Sequence, residues 1–143
     1  MQPQRWDLKK EYKFTDNRKD EQDRGISLKS SPLTVLLQDS REKSFLYNLI
    51  DTPGHPNFSD EVTCALRISD GAILVVDVIE GMTTYCERLI TECVKSKVKF
   101  VVVLNKLDRL VLELKLPPSD AYYKIKNTLD DINSCIKKLE PLH

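Results

Sequence analysis

At 143 residues the chain is long enough for one domain with its own core and short for two. Its 22 basic and 22 acidic residues balance, so no net field draws it to nucleic acid or to an anionic membrane, and direct DNA binding is not expected. A composition of 41% hydrophobic and 31% charged residues fits an ordinary soluble protein, and four cysteines without metal-ligand spacing, beside two histidines, exclude a zinc site.

Cys64, Cys86, Cys93 and Cys135 read as reduced thiols of an intracellular protein. The segment Met1 to Asp7 is too polar for a signal peptide, and the longest apolar run, Phe100 to Leu104, is far short of a membrane span. Residues 1–31 are polar and charged, with Arg18-Lys19-Asp20-Glu21-Gln22-Asp23-Arg24 at their centre. Such a stretch has little apolar surface to offset its ordering entropy and is expected to be mobile unless a ligand holds it.

Leu33 to Leu37 and Phe45 to Ile50 read as two strands joined by a polar connection short enough for a hairpin. The second stops at Asp51, where Thr-Pro-Gly forces a turn. Phe58 to Ile68 is helical in pattern, with Phe58, Val62, Ala65, Leu66 and Ile68 as its apolar face, Ser59 as N-cap and Asp60 and Glu61 in the first turn. Ala72 to Asp77 is a continuous β-branched run, the mark of a strand buried on both faces. Thr84 to Lys95 is a predicted helix and Phe100 to Asn105 a second buried strand, so the three form a βαβ unit with a parallel pair. After Pro117-Pro118, with Ser119 able to cap, Tyr122, Ile125, Leu129, Ile132, Ile136 and Leu139 recur at helical spacing over about 20 residues. The order of elements is that of an α/β protein with a largely parallel sheet.

Ligands of such sheets sit at the carboxyl ends of the strands, where three features fall. Asp51-Thr52-Pro53-Gly54-His55 ends the second strand. An aspartate there can hold a water on Mg²⁺, Gly54 lets its backbone N–H approach a phosphate oxygen, and His55 can orient an attacking water. Asn105-Lys106-Leu107-Asp108 ends a later strand. A carboxylate at its fourth position can accept both guanine N1–H and the N2 amine, which adenine cannot supply; sites built this way discriminate by roughly 10⁴ to 10⁵. Asn105 can contact the base edge, and the stem of Lys106 can lie against the purine. Arg24-Gly25-Ile26-Ser27-Leu28 offers a hydroxyl for Mg²⁺ in a segment that triphosphate would order. Each motif alone also reads as an ordinary turn, cap or polar loop; their order, phosphate then base with one βαβ unit between them, favours the nucleotide reading.

Together with Phe14-Thr15-Asp16 and Asp20-Glu21-Gln22-Asp23, these motifs make the chain resemble the translational GTPases of the eukaryotic translocase type. Leu114 to Lys124, with Pro117-Pro118, and Asn57 to Val62 are most similar to the spliceosomal U5 small nuclear ribonucleoprotein branch; the ribosomal translocase branch is the alternative. The resemblance runs from about Tyr12 to Asn133. It implies a P-loop-NTPase-type α/β fold, GTP and Mg²⁺ as cofactors, and spliceosomal ribonucleoprotein proteins and RNA as partners, without a membrane. It implies a nuclear location, or a cytoplasmic one for the ribosomal branch. By position it makes Asp51 and Ser27 the metal-side residues and His55 the catalytic one. Asp51, Thr52, Pro53, Gly54 and His55 then line the phosphate side, and Asn105, Lys106, Leu107 and Asp108 read the base. Ser27 stands where ribosomal factors have Thr, and Pro56 where the family has an apolar residue such as Val.

The family's G-x-x-x-x-G-K-[ST] loop does not occur in these 143 residues, which contain four glycines and no Gly-Lys pair. The expectation is therefore a switch I segment at 1–31, a partial GTP-binding domain at 32–133 lacking its first strand, phosphate loop and first helix, and a divergent tail at 134–143. GTP hydrolysis belongs to the family. For the chain as it stands, a product inactive toward nucleotide and a docking module without turnover are the competing readings.

Overall fold

The computed structural model describes residues 13–139, which divide into two compact units meeting at Ala65 and Leu66. Among the described residues no helix is long and apolar enough to cross a membrane.

The first unit begins with a polar knot. Helix α1, Lys19–Arg24, ends on Gly25, whose left-handed φ of 67° lets its N–H return to the Glu21 carbonyl at 2.8 Å. Glu21 is 2% exposed; its Oε1 accepts the N–H groups of Leu28 and Lys29 at 2.8 and 2.9 Å, and its Oε2 accepts that of Arg18 at 3.2 Å. Within the charged stretch the one regular element is α1, and the turns around it are tied to the Glu21 carboxylate and not to apolar burial. The part of that stretch before Lys13 lies outside the described residues.

Strands β1, Ser31–Gln38, and β2, Ser44–Asp51, pair antiparallel in register from Ser31↔Asp51 to Gln38↔Ser44. The hairpin turns at Asp39, whose N–H bonds the Lys43 carbonyl at 2.9 Å, with Glu42 in the left-handed region at φ 61°. Leu36, Leu37, Phe45, Leu46, Tyr47 and Leu49 are all exposed along this ribbon. A 3₁₀ turn at Pro56–Phe58 then leads into helix α2, Ser59–Leu66. Ser59 is therefore not the N-cap expected of it: the cap is His55, and Ser59 closes the 3₁₀ turn with its N–H on the Pro56 carbonyl. Proline at the first position explains the shift, since its fixed φ suits a helical start and biases the residue before it to extended backbone. His55 is extended, at φ −83° and ψ 135°. Ile68, counted into the helix from sequence, lies beyond its end and is 76% exposed.

In the second unit, strand β3, Gly71–Asp77, pairs in parallel with strand β4, Lys99–Asn105, in register from Gly71↔Lys99 to Asp77↔Asn105. Helix α3, Thr84–Lys95, connects them, capped by Thr83 Oγ1 accepting the Cys86 N–H at 3.1 Å. A short helix α4, Asp108–Leu112, and the long α5, Pro118–Leu139, follow. The core is Leu74, Val76, Cys86, Ile90, Ile132 and Cys135, with Phe100, Val102 and Leu104 packed against it. Ile73 and Val75, opposite Val101 and Val103, are exposed, Ile73 by 63%. Neither strand is buried on both faces as its composition predicts; α3 and α5 join the core only from the side of Leu74 and Val76.

Helix α5 starts two residues earlier than Ser119 would cap it, with the Pro117 carbonyl accepting the N–H groups of Asp120 and Ala121 at 3.0 Å each. Its buried positions are Thr128, Ile132 and Cys135, while Tyr122 and Leu129 of the predicted stripe are exposed. Ile132 of that stripe is in the core, with Ile136 and Leu139 packed against it, and Thr128 lies beside a glycine turn. Gly81 has φ 66°, and a Cβ there would lie 3.3 Å from Thr128 Oγ1. The Thr128 hydroxyl, which donates to the Lys124 carbonyl at 3.0 Å, is thus the neighbour that a side chain at position 81 would meet. The class is α/β, in two two-stranded sheets, one antiparallel and one parallel.

Candidate functional site

The residues singled out from sequence fall in both units, and each group is positioned by its own unit. In the first, Asp51 closes β2, exposed, and its Oδ2 accepts the Thr15 hydroxyl. Ser27 is 8% exposed and donates its hydroxyl to Asp16 Oδ1 at 2.7 Å; Asp16 is itself 6% exposed. That arrangement leaves the lone pairs of the Ser27 oxygen available while the proton is disposed of, which suits a hydroxyl that binds a hard cation. Thr15 and Asp16 belong to the Phe14-Thr15-Asp16 stretch that carries part of the resemblance, but their hydrogen bonds to Asp51 and Ser27 show only in the fold.

Pro53 is fully buried and anchors the turn, whereas Thr52 is half-buried and Gly54 exposed. A Cβ built at Gly54 meets nothing within 4 Å, and its φ is not left-handed. Neither packing nor backbone conformation demands glycine there. Its bare backbone is open to the approach of an external group.

His55 is exposed, with its ring 5.9 Å from that of Phe58. Its Nδ1 accepts the Asn57 N–H at 3.2 Å. The neutral ring in this state carries its proton on Nε2, so it presents a donor outward and not a base.

In the second unit, Asp77 and Asn105 are register partners at the carboxyl ends of parallel strands. Asn105 accepts the Lys106 N–H on its own side-chain oxygen at 2.8 Å, and its carbonyl accepts the Val78 N–H at 3.1 Å. Lys106 is left-handed, φ 61°, which turns the chain sharply off β4 into α4. Leu107 and Asp108 are both exposed, Asp108 opening α4 with no hydrogen bond or ion pair among the described residues.

A half-buried ion-pair cluster beside this loop was not singled out from sequence. Asp77 is 12% exposed in its side chain, and its Oδ2 lies 3.1 Å from Lys106 Nζ and 2.5 Å from an Arg109 guanidinium nitrogen. Its Oδ1 accepts the Ile79 N–H at 2.8 Å. Burial pushes the Asp77 carboxyl up, but the Ile79 N–H and the Lys106 and Arg109 cations outweigh it, and the group sits below its ordinary range. Arg109 also grips Glu113 through two bonds of 2.6 and 2.8 Å. The readable signal was an aspartate ending a strand in register with a motif asparagine.

Among the described residues no three His, Cys, Asp or Glu side chains cluster as a metal cage. A hydroxyl and one carboxylate fit Mg²⁺, which keeps several waters and takes phosphate oxygens alongside one or two protein ligands. The exposed, unpaired carboxylate of Asp108 fits a ligand edge carrying two N–H donors.

A model of the elongation factor Tu GTP binding domain family matches residues 2–139. The chain is 54% identical over 127 residues to the 110 kDa U5 small nuclear ribonucleoprotein component CLO of Arabidopsis thaliana, covering 89% of this chain. It is 50% identical, over the same share, to the 109 kDa component GFL of that plant. To the pre-mRNA-splicing factor cwf10 of Schizosaccharomyces pombe it is 45% identical, over 90% of this chain. It spans 13% of the length of each of these relatives.

Proposed function

The chain belongs to the elongation factor Tu GTP-binding domain family, and from that premise we propose that it carries the guanine-reading loop and the γ-phosphate-facing segments of a GTPase of the U5 small nuclear ribonucleoprotein type, acting in pre-mRNA splicing. Its partners are then guanine nucleotide, Mg²⁺ and the proteins and RNA of a spliceosomal particle in the nucleus. The observation that carries the reading is the end of the parallel pair, where β4 breaks at a left-handed Lys106 and leaves the Asp108 carboxylate exposed and unpaired.

Asp108 accepts the two N–H donors of the guanine edge. Asn105, whose Oδ1 is spent on the Lys106 N–H, uses its side-chain amide to bridge outward. On the other unit, Ser27 and Asp51 supply a hydroxyl and a carboxylate to Mg²⁺, which would neutralise charge developing on a γ-phosphate. The Gly54 N–H meets a phosphate oxygen. His55 orients an attacking water by donating from Nε2, since Nδ1 is held by Asn57. That role belongs to the transition state, so His55→Ala is expected to slow single-turnover hydrolysis with GTP affinity nearly intact.

The decisive experiment is Asp108→Asn in the intact polypeptide that contains this sequence, with competition between GTP and xanthosine triphosphate. Xanthine carries an oxygen where guanine carries the N2 amine, so an amide donor suits it better. Preference is expected to pass from guanine to xanthine. An unchanged preference removes Asp108 from the base-reading role and the loop from the proposal.

A further inference from the structure

We propose that Asp77 is the positioning residue of the base-reading loop: one carboxylate ties Lys106 and Arg109, the two cations that flank Leu107 and Asp108, and so holds the loop that presents Asp108. The inference rests on the reading of residues 105–108 as that loop.

The whole carboxylate is committed. Oδ1 takes the Ile79 N–H of its own turn, at 2.8 Å, and Oδ2 takes both cations, at 3.1 and 2.5 Å. Asp77 reaches them because it is the register partner of Asn105, so its side chain leaves the sheet beside the point where β4 ends. Lys106 at φ 61° is in a conformation disfavoured for any residue with a Cβ. A loop pinned at Lys106 and again three residues on at Arg109 has little freedom to relax from it. Arg109 is fixed further by its two bonds to Glu113, which set the plane of the guanidinium.

The clamp also keeps Asp108 available. Arg109 is its chain neighbour and would be a ready partner for its carboxylate. With the guanidinium engaged by Asp77 and Glu113, Asp108 makes no ion pair among the described residues and keeps its acceptor capacity for a ligand. Removal of Asp77 leaves Lys106 without its carboxylate and Arg109 held by Glu113 alone, so the loop opens and the less restrained Arg109 can turn toward the base-reading carboxylate.

The test is the ratio of GDP to IDP affinity in the intact polypeptide, since inosine lacks only the N2 amine. Asp77→Asn is expected to lower that ratio by about tenfold, the equivalent of about 1.4 kcal/mol of coupling. Loss of folded protein alone weakens both nucleotides equally and leaves the ratio in place; that outcome overturns the proposal. Arg109→Gln, which removes the pin at the α4 end of the loop without leaving a guanidinium to compete for Asp108, is expected to lower the ratio in the same direction by less, and serves if Asp77→Asn does not fold. Combined with Asp77→Asn it should add little, because both remove one contact. Asp108→Asn separates the two levels. If Asp108→Asn leaves the ratio unmoved, the loop does not read guanine. If Asp108→Asn collapses it while Asp77→Asn and Arg109→Gln do not, the loop stands and the clamp falls.

Discussion

Between Lys13 and Ala65 the side chains buried at the centre of the polar knot are Asp16, Glu21 and Ser27, whereas from Leu66 to Leu139 they are Leu74, Val76, Ile90 and Ile132 with two cysteines. The first group holds the chain by giving backbone N–H groups and hydroxyls a carboxylate partner in place of water. The second holds it by taking hydrocarbon out of water. Hydrogen bonds to a charged acceptor are directional and depend on ionisation, while apolar burial depends on volume. The distinction follows function: segments proposed to face a triphosphate and its metal are held by groups that can exchange partners with one, and the base-reading loop stands on a core that cannot.

The largest expected effect tests the apolar half. Ile132 is 2% exposed and lies in the cluster with Leu74, Val76 and Ile90. Ile132→Ala should destabilise the 66–139 unit by about 2–5 kcal/mol, through lost transfer energy and the cavity left behind. Urea unfolding followed by circular dichroism gives the size, and hydrogen exchange gives the place. Amides of Ile90 and Val102 should lose protection, and those of Leu28 and Lys29 should keep theirs. Equal loss in both units would mean that the two stand or fall together.

Next comes the converse variant. Glu21→Ala leaves the Leu28 and Lys29 N–H groups without their acceptor, at an expected cost of about 1–3 kcal/mol. The loss should appear in residues 18–30 and leave Ile90 unchanged. A fall in protection at Ile90 of the same size would erase the contrast between the units.

A smaller effect distinguishes two helix starts. Thr83→Ala removes a side-chain acceptor from the Cys86 N–H and should cost about 1 kcal/mol. Ser119→Ala, at the site that sequence names as the cap of α5, should stay within about 0.5 kcal/mol, because the Pro117 carbonyl already serves Asp120 and Ala121. Thermal unfolding of the two variants side by side checks the order.

These cases show what could be read in advance. The hairpin, the βαβ order and the bounds of α3 follow from period-two and helical patterning, which records local backbone choice. Both strand-end motifs were legible because chemistry confines them to short spacings. Burial was not: Ile73, Val75, Val101 and Val103 have the composition of interior residues, yet composition carries no record of which face is covered. The stripe of α5 was right at Ile132, Ile136 and Leu139 and missed Thr128, which lies inward against Gly81 of a distant turn. Asp77 escaped for a related reason, since its partners are about thirty residues away and only strand register brings them to it. The hydrogen bonds of Glu21 were not legible either, because hydropathy does not count a carboxylate that satisfies three N–H groups.

The smallest expected effect is a titration, and it probes the polar half without changing a residue. Glu61 receives Lys29 Nζ at 2.6 Å and the Ser30 N–H at 3.0 Å. The Lys29 bond first, then Ser30, hold its carboxyl down to about 2 from an ordinary 4.5. A depressed acid contributes stability that is fully present above its unfolded pKa and is lost as pH falls through the folded one. The contact should therefore persist near neutrality and weaken as pH drops from 4.5 toward about 2. Its magnitude stays small because Lys29 is largely exposed and water screens the pair; added salt should shrink it further. The Ser30 amide shift in a heteronuclear NMR titration follows the carboxylate directly. It should move with a midpoint near 2, well below that of an unpaired glutamate, while the amides of Ile90 and Ile132 stay still until global unfolding. A Ser30 midpoint at 4.5 would mean that the Lys29–Glu61 bridge does not form in solution, and the turn before β1 would then be held by the Glu21 carboxylate and the β1–β2 ladder.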